Sequence, residues 1–162
     1  MPKRYFNWKL AVAILLGILV IAITAFGLRQ WRRTMRAESG LRLGKKAYEE
    51  HNYEEAARQF GRYISVYTND VNALLKYADS QMKIRPIKPG HLQQAINAYR
   101  SVLRADQANS EAAKELSGLY LRIGQPGESE LIAKRFCESK KDPEVRRSLA
   151  LAYAAQRKLD RL

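Results

Sequence analysis

An all-α fold, with one apolar N-terminal helix followed by a solenoid of helix–turn–helix units, is what this sequence predicts. Three observations carry it. Leu10 to Leu28 is an uncharged apolar run. Beyond it, small residues recur between large ones at helical spacing, as in HNYEEAARQF (51–60), where Ala56 stands between Tyr53 and Phe60. Turn signals at His51-Asn52, Thr68-Asn69-Asp70 and Gly124-Gln-Pro-Gly127 then cut the chain into helix-sized pieces.

The elements follow in order. Residues 1–9 are a basic tail. Residues 10–28 give 19 uncharged positions, roughly 28 Å of helix, close to the hydrocarbon thickness of a bilayer. Thr24 is the only polar side chain in the run and is expected to bond to its own helix. Tyr5, Phe6 and Trp8 flank it on one side and Trp31 on the other, where aromatic rings favour the interface. Arg29, Arg32, Arg33 and Arg36 suit a headgroup layer, so 29–36 reads as a basic juxtamembrane linker. The reading is an uncleaved, single-pass anchor that meets lipid through 10–28. The alternative is a cleaved signal peptide, with Ala25-Phe26-Gly27 as the cleavage site; against it, the run is longer than the usual core of such a peptide. Three basic residues precede the run and seven follow it up to Lys46, which leans the repeats towards the cytoplasm. Signal anchors with a short basic tail commonly keep that tail inside, so the side stays open.

Net charge is +13, unevenly spread: residues 1–36 hold seven of the 29 basic residues and none of the 16 acids. The remainder is only mildly basic and alternates in sign. That pattern argues against nucleic acid as a partner. Cys137 is the only cysteine, which excludes an intrachain disulfide or a cysteine metal cluster and reads as a small buried hydrophobe.

Residues 37–162 divide into units at about 37–70, 71–109, 110–143 and a partial 144–162. Leu43, Gly44 and Ala47 pair with Tyr53, Ala56 and Phe60. Tyr77 and Ala78 pair with Leu92, Ala95 and Tyr99. Leu116, Ser117 and Tyr120 pair with Ser129, Ala133 and Phe136. The step is 34 residues from Gly44 to Ala78 and five longer to Ser117; the extra residues fall in 83–90, between two helices. Small residues at each crossing let neighbouring helices approach, and rings fill the grooves beside them. A 34-residue helix–turn–helix period of this kind resembles the tetratricopeptide repeat (TPR), in about three and a half copies. The family's tryptophan is replaced by Gly40, Leu74 and Ala113, and its closing proline is missing until Pro143.

The resemblance implies a scaffold that binds a peptide or partner helix on the concave face made by the first helix of each pair. By phase that face presents Arg42, Lys45, Tyr48 and Glu49, then Asn72, Leu75, Lys76, Asp79 and Met82, then Glu111, Lys114, Glu115, Leu121 and Arg122. Tyr48 and Met82 are the expected anchors. Some family members grip a C-terminal carboxylate through a basic clamp; Leu41, Lys45, Lys76, Glu111 and Glu115 occupy those places, and the two acids would repel it.

Catalysis has little support, and neither a cofactor nor a metal is expected. His51 and His91 fall in turns. Ser80-Gln-Met-Lys83 has the spacing of a Ser-x-x-Lys nucleophile without its companion motifs, and Gly44-Lys45 lacks the rest of a phosphate loop. Two alternatives remain: the N-terminal repeat region of a larger enzyme, or an envelope assembly or chaperone-like factor. The apolar stretch Leu149–Ala155 suggests that residues 145–162 are covered by a second copy or by further repeats.

Overall fold

In the computed structural model, residues 8–159 are described, with side chains from Leu15 to Gln156. They form seven helices and, among the described residues, no strand: α1 (Trp8–Glu49), α2 (Tyr53–Ile64), α3 (Val71–Lys83), α4 (Pro89–Ala105), α5 (Ser110–Arg122), α6 (Pro126–Ser139) and α7 (Pro143–Leu159). Lys3, Arg4, Tyr5 and Phe6 lie outside the described residues, as do the ring of Trp8 and the last three residues.

Local sequence sets the boundaries. Asn52, Asp70 and Asn109 accept backbone N–H groups at the starts of α2, α3 and α5, and Asp142 does so for α7. Proline opens α4, α6 and α7, where its missing N–H has no intrahelical partner to lose. α1 and α5 stop in the same way. His51 and Gly124 take positive φ, 61° and 74°. The next N–H then reaches back to Ala47 O at 2.9 Å and to Tyr120 O at 2.8 Å. The five-residue excess lies between Ala78 and Ala95: part of it lengthens the α3–α4 connection, 84–88 against 50–52, and the rest extends the start of α4.

One boundary differs from the sequence reading. The basic stretch 29–36, read from the sequence as a juxtamembrane linker, is helical and continuous with both flanks within α1, a single helix of 42 residues. Arginine is a good helix former and no glycine or proline interrupts 28–39, so nothing local stops propagation. α2 stops at Ile64, and Tyr67 folds back to pack on Tyr63 with ring centroids 4.7 Å apart.

Consecutive helices pack into a solenoid, and α1·α2, α3·α4 and α5·α6 are the pairs. The crossings are built as the repeat predicts. Ala56, Ala95, Ala133 and Ser129 are fully buried. At Gly44 a Cβ would stand 2.9 Å from the Phe60 ring, so that crossing admits only glycine at the present separation. Leu74, Ala78, Tyr99, Leu116 and Leu119 join α3, α4 and α5 into one core, and Phe136 with Val145 forms a second cluster that reaches α7 and adjoins the first through Leu103. Ala57, which has no counterpart in the repeat phase, is also buried. It lines a cleft with Gly61, Tyr77 and Gln81, on the face of α2 that meets the next pair.

Candidate functional site

α1, α3 and α5 are the first helices of their pairs, and their exposed faces enclose a groove of about 730 Å³. Lys45, Tyr48 and Glu49 line it from α1. Asn72, Leu75, Lys76 and Asp79 line it from α3, and Glu111 closes it from α5. Helical spacing explains the grouping: 45, 48 and 49, like 72, 75, 76 and 79, are three or four apart and share a face. The groove also takes in Lys83 and the half-buried Leu41, and Phe60 and Ala73 lie buried beneath it between the charged rims.

Tyr48 sits at the middle of a polar knot. Its hydroxyl donates to Asp79 Oδ2, and Lys83 Nζ donates to the Tyr48 oxygen at 2.8 Å. Lys83 is also 2.8 Å from Asp79 Oδ2. Lys76 Nζ stands 4.4 Å over the Tyr48 ring and Lys83 Nζ 4.9 Å, close enough for cation–π attraction. Tyr53 meets the ring edge-on at 5.6 Å. Burial, then the bond to Asp79, raises the Tyr48 phenol above its ordinary value. The bond to Asp79, then that to Tyr48, raises the Lys83 ammonium. At neutral pH both keep their protons, so Tyr48 and Asp79 lock α1 to α3 across the groove.

The remaining predicted residues fall elsewhere. Arg42 is exposed on α1 beside the groove. Met82 is half-buried and packs on the central core instead of opening to the groove. Leu121 is half-buried and Arg122 exposed in the last turn of α5, beyond the groove; Lys114 reaches away from it to pair with Glu144 on α7 at 2.5 Å. Sequence reasoning missed Lys83 as a groove residue, because only the fold shows it reaching back one turn to Asp79 and across to α1. Ser80 and Lys83 do not converge: the buried Ser80 hydroxyl donates to Lys76 O at 2.6 Å. His51 stacks on Tyr53 at 5.9 Å, and His91 Nδ1 accepts the Lys88 N–H at 3.3 Å, finishing the start of α4. Cys137 is half-buried beside the Phe136 cluster.

The predicted interface residues lie along the exposed part of α1. Trp31 is 63% exposed, and Arg29, Arg32, Arg33 and Arg36 are exposed around it. Thr24 Oγ1 lies 2.9 Å from the carbonyls of Val20 and Ile21, bonded to its own helix as expected. α1 is long and apolar enough to cross a membrane, and none of its apolar window is buried in the chain. On α7, Val145 and Ala152 are buried against the solenoid, while Leu151 and Tyr153 are 51% and 43% exposed.

No family model and no curated protein sequence matches the chain. Solved structures do. MamA superposes with a TM-score of 0.62 at 18% identity, over 94% of this chain and 86% of its own. The type III secretion chaperone SycD of Yersinia enterocolitica, in complex with a peptide of the translocator YopD, gives 0.57 at 19% identity, over 75% and 92%. The first TPR domain of RPAP3, bound to an HSP90 peptide, gives 0.59 at 12% identity, over 76% and 94%. These likenesses rest on backbone and not on side chains, and they agree with the crossings described above: the chain has the fold of a tetratricopeptide-repeat solenoid.

Proposed function

We propose that this protein is a membrane-anchored interaction scaffold that holds an extended peptide or partner helix in the groove between α1, α3 and α5. The observation that carries it is the groove itself: half-buried Leu41 and Leu75 supply its accessible apolar surface over the buried Phe60 and Ala73, and lysines and carboxylates stand on its rims. SycD and RPAP3 hold peptides on the same fold, which supports a peptide ligand here. The carboxylate of Glu111 on the groove wall disfavours a partner presenting a C-terminal carboxylate. Exposure of Leu15, Ile21 and Phe26, at 68%, 68% and 73%, supports lipid around α1, since water would leave that apolar surface unburied. Exposed Leu151 and Tyr153 support a second copy or further repeats against α7, and a strictly monomeric protein by light scattering would overturn that part.

The test is crosslinking in native membranes followed by capture of the full-length protein and of Leu75→Glu with Lys76→Glu. Proteins recovered with the parent and lost with the variant support the groove. Identical recovery from both overturns it. If the captured assembly carries enzymatic activity that depends on this chain, the reading as part of an enzyme replaces the scaffold.

A further inference from the structure

Where α1 runs past the end of α2 there is a crevice of about 1170 Å³. Its position follows from one stripe of α1. Ala37, Gly40, Gly44 and Ala47, three or four residues apart, are the buried face against α2. Continued backwards, the same spacing reaches Arg36, Arg33 and Arg29. α2 stops at Ile64, so beyond that point the stripe has no helix opposite, and arginines replace the small residues. Arg33 closes the end of α2 by donating to the Ser65 carbonyl at 2.9 Å, a favourable place for a cation at a helix C-terminus. Arg62, in the last turn of α2, forms the opposite wall, and Arg32 completes a set of five guanidiniums around the crevice.

No carboxylate lines this crevice, and none of the five arginines belongs to a salt bridge among the described residues. Guanidiniums gathered without a counter-charge favour an anion, and their planar forks match the oxygens of a phosphate. The far end of the crevice is different in kind. It is walled by Ala25 and Leu28, the last residues of the uncharged run, both exposed. A ligand that satisfies both ends carries a phosphate directly beside hydrocarbon. The distance fits a bilayer edge: Ala25 to Arg36 rises roughly 17 Å along the helix, enough to pass from the hydrocarbon through a headgroup layer.

We propose that this crevice binds one anionic phospholipid. Arg29, Arg32, Arg36 and Arg62 hold its headgroup, and an acyl chain lies on Ala25 and Leu28. The proposal rests on the reading of α1 as an anchor and adds a role for the solenoid. Because Arg62 belongs to α2, a single lipid ties the first repeat to the membrane and fixes how the groove faces it.

The experiment is native mass spectrometry of the full-length protein released from nanodiscs of phosphatidylcholine with a minority of phosphatidylglycerol. Retention of phosphatidylglycerol above its share is expected. Arg62→Gln, far along the chain from the span, should lower that retention roughly fivefold, the effect of one basic residue at an anionic surface. Arg36→Gln should act in the same direction, while Arg146→Gln, an equal charge change on exposed α7, should do nothing. Stable insertion with no preference for the anionic lipid, or equal effects of Arg62→Gln and Arg146→Gln, overturns the site and leaves the anchor standing. Displacement of the lipid by millimolar inorganic phosphate assigns the crevice to a free anion and overturns the lipid as occupant. Extraction of the protein by carbonate from phosphatidylcholine alone overturns both readings.

Discussion

The two halves of α1 share one hydrogen-bonded helix and obey opposite packing rules. From Leu15 to Arg36 no side chain is buried; from Ala37 to Ala47 the positions facing α2 are Ala37, Gly40, Gly44 and Ala47, all buried. In the first half, residues 15–28 expose Leu, Ile, Val and Phe on every face, and arginines follow at 29–36. The second half keeps one face small. On the proposed reading lipid surrounds the first half and moulds to any face it offers, whereas a helix crossing another needs space where the axes meet. Helical continuity is thus a local property, and the choice of neighbour is written in a single stripe.

The largest test removes one half. Full-length protein is expected to stay in the membrane pellet after carbonate washing, and a chain beginning at Ala37 is expected in the supernatant, since 19 uncharged residues have been taken from it. A mature protein from cells whose first residue lies near Leu28 would convert the first half into a signal peptide and end the comparison.

The next test puts bulk into the other half. Gly44→Ala drives a methyl against Phe60, whose ring is fully buried and has nowhere to go. A loss of about 1–3 kcal/mol is expected by chemical denaturation, and about the same for Ala56→Leu at the opposite side of that crossing. Gly118→Ala is the control. It sits within α5 with nothing within 4 Å of the added Cβ, so helix propensity alone should raise stability by about 0.5–1 kcal/mol. Two glycine variants with the same sign would mean that the α1–α2 crossing is looser than its geometry.

Much of this was legible in the sequence, for a definite reason. Ala56, Ala95 and Ser129 mark crossings because the repeat places them in phase, and period is the property a helical array leaves most openly in its residues. Lys45, Tyr48, Leu75, Lys76 and Asp79 share faces for the same reason. What stayed hidden depends on a second contact. Ala57 is buried by the following pair, Met82 turns into the core, and Arg62 shares a crevice with Arg36 only because α2 ends where it does. The basic stretch 29–36 read as a linker, yet charge does not stop a helix where neither glycine nor proline interrupts it.

A third test examines the seam between the halves. Tyr63 packs on Ala37, the first buried residue of α1, and its hydroxyl donates to Asp70 at 2.9 Å. Burial first, and that bond second, push the phenol up to about 12 from 10.0. The folded chain therefore keeps a proton that the unfolded chain loses. The stabilisation is complete below the unfolded value and drains away as pH rises through the interval up to the folded one. Tyr63→Phe should cost about 0.5–1.5 kcal/mol at neutral pH. The gap between the two proteins should close across that alkaline interval. A gap independent of pH in denaturant melts would place the cost in packing and not in the hydroxyl.

The smallest test lies at the far end of the buried half. α1 and α5 finish with the same turn, yet one uses His51 at φ 61° and the other Gly124 at φ 74°. A side chain in this left-handed region costs about 1–2 kcal/mol relative to glycine. His51 offsets part of that through its stack on Tyr53 at 5.9 Å, and glycine would add freedom to the unfolded chain. The net gain from His51→Gly should be only about 0.5 kcal/mol, seen as a small rise in Tm. Gly124→His has no ring to stack on in the same place and should lose about 1 kcal/mol. If His51→Gly instead lowers Tm, the contact with Tyr53 outweighs the backbone, and this end of α1 is held by the aromatic pair beside the groove more than by its turn.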